Sequence, residues 1–325
     1  MQTALSLPAM NDGVSRAKLM KTELHPINEK PAYLKGLAKA DAYFSERLSA
    51  AEDCVERVML AKAAHDDMWL FIGFEKAFSG KSVQVEAIKS ITAEMRMYAW
   101  KVIDHYIKAA SAGLAIQVSR EALLNDWLPK QENEFHHSLL SELDGSPEPF
   151  AKSLNTLRSI TFVGLYQTLD ANYNPQKTQE LMYAQAAKAI IDYFRFDYSA
   201  PEPVKGGFLI EKRLYRVETQ YSSRPGKYRV DYSFKNEMAE CRKWLQVFES
   251  YVGDSGDSDL YSLLGTVHMN LHHTDDGFDP RDSFEFGGSK FTFFKSKIEI
   301  RVGAAEFMQL FTFCRLYGNL KANAA

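Results

Sequence analysis

The sequence has few of the features that advertise a chemistry. Three cysteines in 325 residues, Cys54, Cys241 and Cys314, are scattered and odd in number. That pattern suits reduced thiols in a cytosol better than a disulfide framework. No run approaches the roughly 18 apolar residues that span a bilayer. The longest candidate, MWLFIGF (Met68–Phe74), reads as buried core. The start, MQTALSLPAMNDG, has no basic segment and no sustained apolar stretch, so no signal peptide is expected. Charge of one sign is also missing. A formal net charge of -3 argues against a generally basic nucleic-acid coat and against an acidic solvating tail, though not against a local basic patch.

Catalytic motifs are equally scarce. There is no phosphate-cradling loop, and the glycine pairs at Gly206 and Gly287 lack the flanks of a dinucleotide fingerprint. No serine sits in a nucleophile elbow. The cysteines have no ligand spacing. In EFHHS (Glu134–Ser138) the adjacent histidines would point different ways on a helix. The chain therefore reads as non-enzymatic, with no cofactor and no metal expected.

What is present is the composition of a soluble globular protein, 46% hydrophobic, 25% charged and 13% aromatic. The length allows two or three modest domains. Residues 1–30 are polar and proline-bearing and read as a flexible arm. Residues 31–198 read as a helical domain. Val85, Ile88, Ile91, Met95, Val102 and Tyr106 make one apolar stripe at helical spacing, and Pro129 ends that run. DGSPEP (144–149) reads as a linker, followed by helices over 150–169 and 177–196 with a turn at Asn174–Pro175. A second linker, SAPEPVKGG (199–207), leads into an α+β domain over 205–320. There, two β-hairpins are expected to pack with helices, so the fold class is α+β, helical first and mixed afterwards. Each hairpin feeds a helix ending in tyrosine and glycine, which fits either a weak duplication or the ordinary grammar of such a domain.

Two stretches carry chemistry worth weighing. The first is TVHMNLHHTDD (Thr266–Asp276). On a helix over 260–273, His268 and His272 share a face, the spacing with which two imidazoles grip one metal, and Asp275 or Asp276 could add a carboxylate. A metal-dependent hydrolase would centre there. Against it, Leu260, Leu263, Leu264, Val267 and Leu271 form a buried stripe beside the histidines, no glutamate follows His268, and a third ligand is missing.

The second stretch is a basic, aromatic hairpin over 205–235, LYRVETQY and YRVDYSF around SSRPGK. Lys212, Arg213, Tyr215, Arg216, Arg224, Lys227, Tyr228 and Arg229 are its candidate partner-binding residues. Such a face can be a solvated sheet surface, can meet an acidic protein partner, or can track phosphates and stack bases. The last helix, AAEFMQLFTFCRLYG, is apolar nearly all round and implies burial, in its own domain or in a homo-oligomer.

The stretch DSFEFGGSKFTFFKSKIEIRVGAAEFMQLFTFCRLYG (282–318) resembles the C-terminal end of the domain of unknown function 4942, found in phage, prophage and plasmid proteins. Phe291, Phe293, Phe294 and Lys295 stand at its aromatic–Lys positions, with Ile298 and Ile300 on the returning strand. The family's turn usually carries Asn-Gly and then a histidine in the strand, whereas Ser296, Lys297, Ile298 and Glu299 stand here. The resemblance transfers no catalytic residue. It implies a mobile-element protein in a bacterial cytoplasm that binds a host protein complex, most concretely an inhibitor or modulator of an anti-phage defence system. A nucleic-acid-binding accessory protein is the second expectation, and no membrane partner is expected.

Overall fold

The structure is a computed structural model that describes residues 29–72, 80–128, 140, 141, 143, 146–214, 217–218, 228–253 and 258–319. The chain forms two compact units. The first takes the chain through Ala110 and again from Val118 to Asn174. Two long helices, α1 (Lys30–Ile72) and α2 (Gly80–Ala110), are its frame. On α1, Tyr33, Leu37, Ala40, Phe44 and Leu48 are buried at three- to four-residue spacing. The expected stripe on α2 is buried as well, except that Val85 is only half-buried. MWLFIGF runs off the end of α1, and its side chains lie outside the described residues, as do residues 1–28 of the expected arm and the EFHHS pair.

Shorter helices complete this unit: α3 (Arg120–Trp127), α4 (Pro147–Arg158) and α5 (Phe162–Tyr173). The expected linker at 144–149 is partly helix, because Pro147 opens α4 at a position where a missing N–H costs nothing. The single helix expected over 150–169 is two. Thr161 is extended and its Oγ1 accepts from Gly164 N at 3.0 Å, a start signal that interrupts the run. Asp41, from α1, accepts from Phe162 N at 2.6 Å and Val163 N at 3.2 Å, so a distant carboxylate fixes the same helix start.

The second unit contains Ser111–Gln117 and everything from Pro175 onward. It begins with α6 (Pro175–Phe194), not with the linker near 199–205. Met182, Tyr183, Ala186, Ala187, Ile190 and Ile191 of α6 join the same buried core as the sheet and the C-terminal helices, which is why the boundary moves to Asn174. Gln185 holds the segment 111–117 through reciprocal 2.8 Å bonds with the Gln117 backbone.

The expected linker 199–207 is also structured: β1 (Glu202–Val204) turns at Lys205–Gly206 into β2 (Gly207–Arg213). Gly206 takes φ +85, a conformation that favours glycine. Further along lie β3 (Val217–Glu218), β4 (Tyr228–Val230), α7 (Tyr232–Val252), α8 (Asp259–His273), β5 (Gly277–Phe278), β6 (Ser283–Phe286), β7 (Ser289–Phe293), β8 (Lys297–Gly303) and α9 (Ala304–Tyr317).

An antiparallel sheet runs in the order β1-β2-β8-β7-β6, and β3-β4-β5 form a second, smaller one. The second expected hairpin is therefore a three-stranded meander. Its buried residues alternate as a sheet with one face on the core requires, with Phe291, Phe293, Ile298, Ile300 and Val302 inside. The first hairpin appears as β3–β4, with Val217 opposite Val230. The two hairpins thus belong to different sheets.

The final helix packs within its own unit. Phe307, Leu310, Phe311, Phe313 and Cys314 are buried, whereas Met308 and Leu316 are exposed. The architecture is mixed α+β with helices first, and no helix among the described residues is long and apolar enough to cross a membrane.

Candidate binding surface

Among the described residues, the candidates of the basic hairpin are divided between two sheets. Lys212 belongs to β2 of the larger sheet and is buried, at 5% exposure. Its ammonium lies over the Tyr193 ring and pairs with Glu237 Oε2 at 2.8 Å. It cannot meet a partner directly. Arg213 is exposed at the far end of the same strand, opposite Lys297. Tyr215, Arg216, Arg224 and Lys227 lie outside the described residues. Tyr228 and Arg229 are on β4, in the smaller sheet, where Tyr228 packs against Phe278 with ring centroids 5.8 Å apart and Lys295 Nζ lies 6.0 Å from its ring.

Around β4 the structure gathers cations that the sequence keeps apart. Asp276 is the pivot. It sits in the turn after α8, where Asp275 and Asp276 both have left-handed φ values of 53 and 66. The turn is held by Asp276 N donating to Leu271 O at 2.8 Å and by Thr274 Oγ1 donating to Gly277 O at 2.8 Å. Such a backbone turns the Asp276 carboxylate inward, where its side chain is 7% exposed. Lys235 Nζ of α7 pairs with it at 2.7 Å, and Arg229 Nη2 approaches at 3.9 Å. The β4–β5 pairing, with Val230 N donating to Asp276 O, fixes the geometry.

The α7–α8 packing adds a second row. Arg242, two turns along from Lys235, stacks on Tyr261 with its guanidinium carbon 4.3 Å from the ring centroid. Gly265, one turn further on α8, makes room for it, since a Cβ there would stand 3.0 Å from the guanidinium. His268 is next on that face. Burial first, then the positive charges of Lys235 and Arg242 and its neighbour His272, hold the His268 imidazole below its ordinary pKa, and Asp276 offsets this only in part. Tyr232, the first residue of α7, is 68% exposed with Lys235 Nζ 5.6 Å from its ring.

His268 and His272 do share a face of α8, four residues apart as expected. Their surroundings suit an anion better than a metal cation. Lys235 and Arg242 repel positive charge, and Asp276 is already paired. Among the described residues no group of three His, Cys, Asp or Glu side chains is arranged to hold a metal. Sequence reading missed Lys235, Arg242 and Asp276 as a group. The sequence offers Asp276 only as a possible metal ligand and places Lys235 and Arg242 seven apart on one face of α7, which says nothing of α8 beside it.

A concavity of about 370 Å³ lies where α8 and α9 begin, with Glu249, Asp259 and Glu306 among its lining residues. Its carboxylates are occupied structurally. Glu249 accepts from Ser258 N at 2.6 Å, Asp259 from Gly288 N at 2.7 Å, and Glu306 from Leu260 N at 2.9 Å and Ser289 Oγ at 3.1 Å. Glu306 thereby caps α8 from a neighbouring helix, and its burial raises its pKa.

No family model, curated protein or solved structure matches the chain.

Proposed function

We propose that this protein works by binding, and that its contact face is the cationic, aromatic surface of Tyr232, Arg229, Lys235 and His268. The observation that carries the reading is the exposed Tyr232 ring set beside Lys235 and the Arg229–Asp276 pair. Tyrosine and arginine supply much of the energy of protein interfaces; here Tyr232 opens α7 and Arg229 lies on the paired strand β4. Two cations held at one carboxylate, with Arg242 close by on α7, favour a partner with acidic groups. The resemblance of residues 282–318 to a phage and plasmid domain supports a mobile-element setting, with a bacterial defence complex as the partner and the host cytoplasm as the place.

Affinity capture from bacterial lysate tests this. The wild-type chain should retain a stoichiometric host complex that Tyr232→Ala with Arg229→Gln loses while its thermal melt is unchanged. Repeated recovery of the bait alone counts against the reading.

The same cations support a second reading, a nucleic-acid contact through phosphates. Its affinity would fall steeply with salt. A protein that binds neither DNA nor RNA at low salt has no such function.

A further inference from the structure

Among the described residues, Arg242 is a cation without an anion. Its Nε is buried with no acceptor, and no carboxylate among the described residues pairs with it. Guanidinium groups in protein interiors and clefts are normally matched by hydrogen-bond acceptors, because an orphaned charged donor is costly. Here the position is also built. Tyr261 supports the guanidinium plane from one side, and Gly265 leaves the space it lies in. An alanine at Gly265 would suit the helix better, but its Cβ would stand 3.0 Å from the guanidinium of Arg242.

The charges around His268 are Lys235 and Arg242 from α7, His272 from α8 and Asp276 from the turn, and Arg229 from β4 joins them through Asp276. Asp276 is spoken for by Lys235 and Arg229, so it does not neutralise Arg242. We propose that Arg242 and His268 form an oxyanion site on the face where α7 packs beside α8, one that takes the carboxylate or phosphate group of a ligand. The planar guanidinium supplies paired donors suited to either group, and the imidazole supplies a further donor on the same face. The inference borrows its location from the binding-surface reading but not the identity of the partner, so it stands or falls separately.

The test is an NMR titration of the His268 ring on the full chain, with the resonance assigned by His268→Gln. Sodium phosphate and sodium acetate are each added against sodium chloride at matched ionic strength. Phosphate binding should raise the pH midpoint of His268 above its value in chloride. Acetate acting alike would identify a carboxylate as sufficient, and phosphate acting alone would identify the tetrahedral anion. Arg242→Gln should weaken the anion's effect about tenfold or more. Gly265→Ala, which displaces the guanidinium without removing its charge, should weaken it while leaving the helix intact. If neither anion moves the midpoint beyond the chloride control, or if both variants respond like the wild type, the site does not exist. Failure of the lysate capture with a positive anion titration would remove the host-complex reading and leave this site in place.

Discussion

The ammonium of Lys212 lies 3.8 Å from the centroid of the Tyr193 ring and 2.8 Å from Glu237 Oε2, inside the second unit. Its hydrocarbon stem fills core volume, and Glu237 remains 57% exposed. Lys212→Met should therefore lie within about 1 kcal/mol of the wild type, because methionine keeps the volume and the freed carboxylate stays hydrated. Lys212→Glu should cost about 3 kcal/mol or more, since it buries a carboxylate beside Glu237 without a cation. Urea unfolding at neutral pH distinguishes the two.

Glu306 makes stability depend on pH in an unusual direction. Burial raises its pKa above the ordinary 4.5, so the native protein holds this proton when the unfolded chain has released it. Its contribution is thus fully present below pH 4.5 and declines as pH rises through the raised folded value. Unfolding free energies measured for the wild type and Glu306→Gln across that range should diverge, the wild type losing ground to the variant as pH increases. Parallel curves would contradict the assignment.

His268 acts in the opposite range. Its folded pKa is held below 6.5, so the unfolded chain takes up the proton first. Stability should be full above pH 6.5 and fall as the pH drops through the folded value, a loss that His268→Gln removes. Asp276→Asn is the companion test. Asparagine tolerates the left-handed backbone at this position, so the variant keeps the turn while removing the charge that pairs with Lys235 and Arg229. The His268 midpoint should then fall further, because the one neighbour that favours its protonation is gone.

In the first unit, the hydroxyls of Tyr33 and Tyr98 are buried without a hydrogen-bond partner among the described residues. An unmade bond of that kind costs roughly 1–3 kcal/mol. Tyr33→Phe and Tyr98→Phe should each raise Tm by about 2–4 °C by relieving part of that cost. A drop in Tm would mean that an internal water satisfies the hydroxyl.

Gly207 opens β2 directly against β8, where a Cβ would collide with the backbone carbonyl of Val302. Backbone cannot move aside within a paired strand. Gly207→Ala should cost about 3 kcal/mol or more, whereas alanine at Gly265 should disturb the flexible end of Arg242 and little of the fold. Parallel melts of the two variants check the contrast.

Much of this protein was legible in the chain itself. Periodicity alone places the Ile88–Tyr106 stripe, the Leu260–Leu271 stripe and the alternating strands from Phe291 to Ile300, because burial on one face imposes a period of 3.6 or 2 on any element. It also places His268 and His272 on one face of α8. Other decisions needed contacts between residues far apart. The start of α5 depends on Asp41, about 120 residues upstream in chain order, and α6 joins the second unit because its buried face matches that core. Local sequence cannot show either. The same holds for charge. Lys212 and Arg229 look alike in a basic stretch, yet strand pairing buries one under Tyr193 and brings the other to Asp276. Side-chain type is fixed by sequence, but the field around a side chain is set by what packs beside it. The three dimensions therefore set a histidine pair that suggested a metal beside Lys235 and Arg242, whose charge opposes a metal cation.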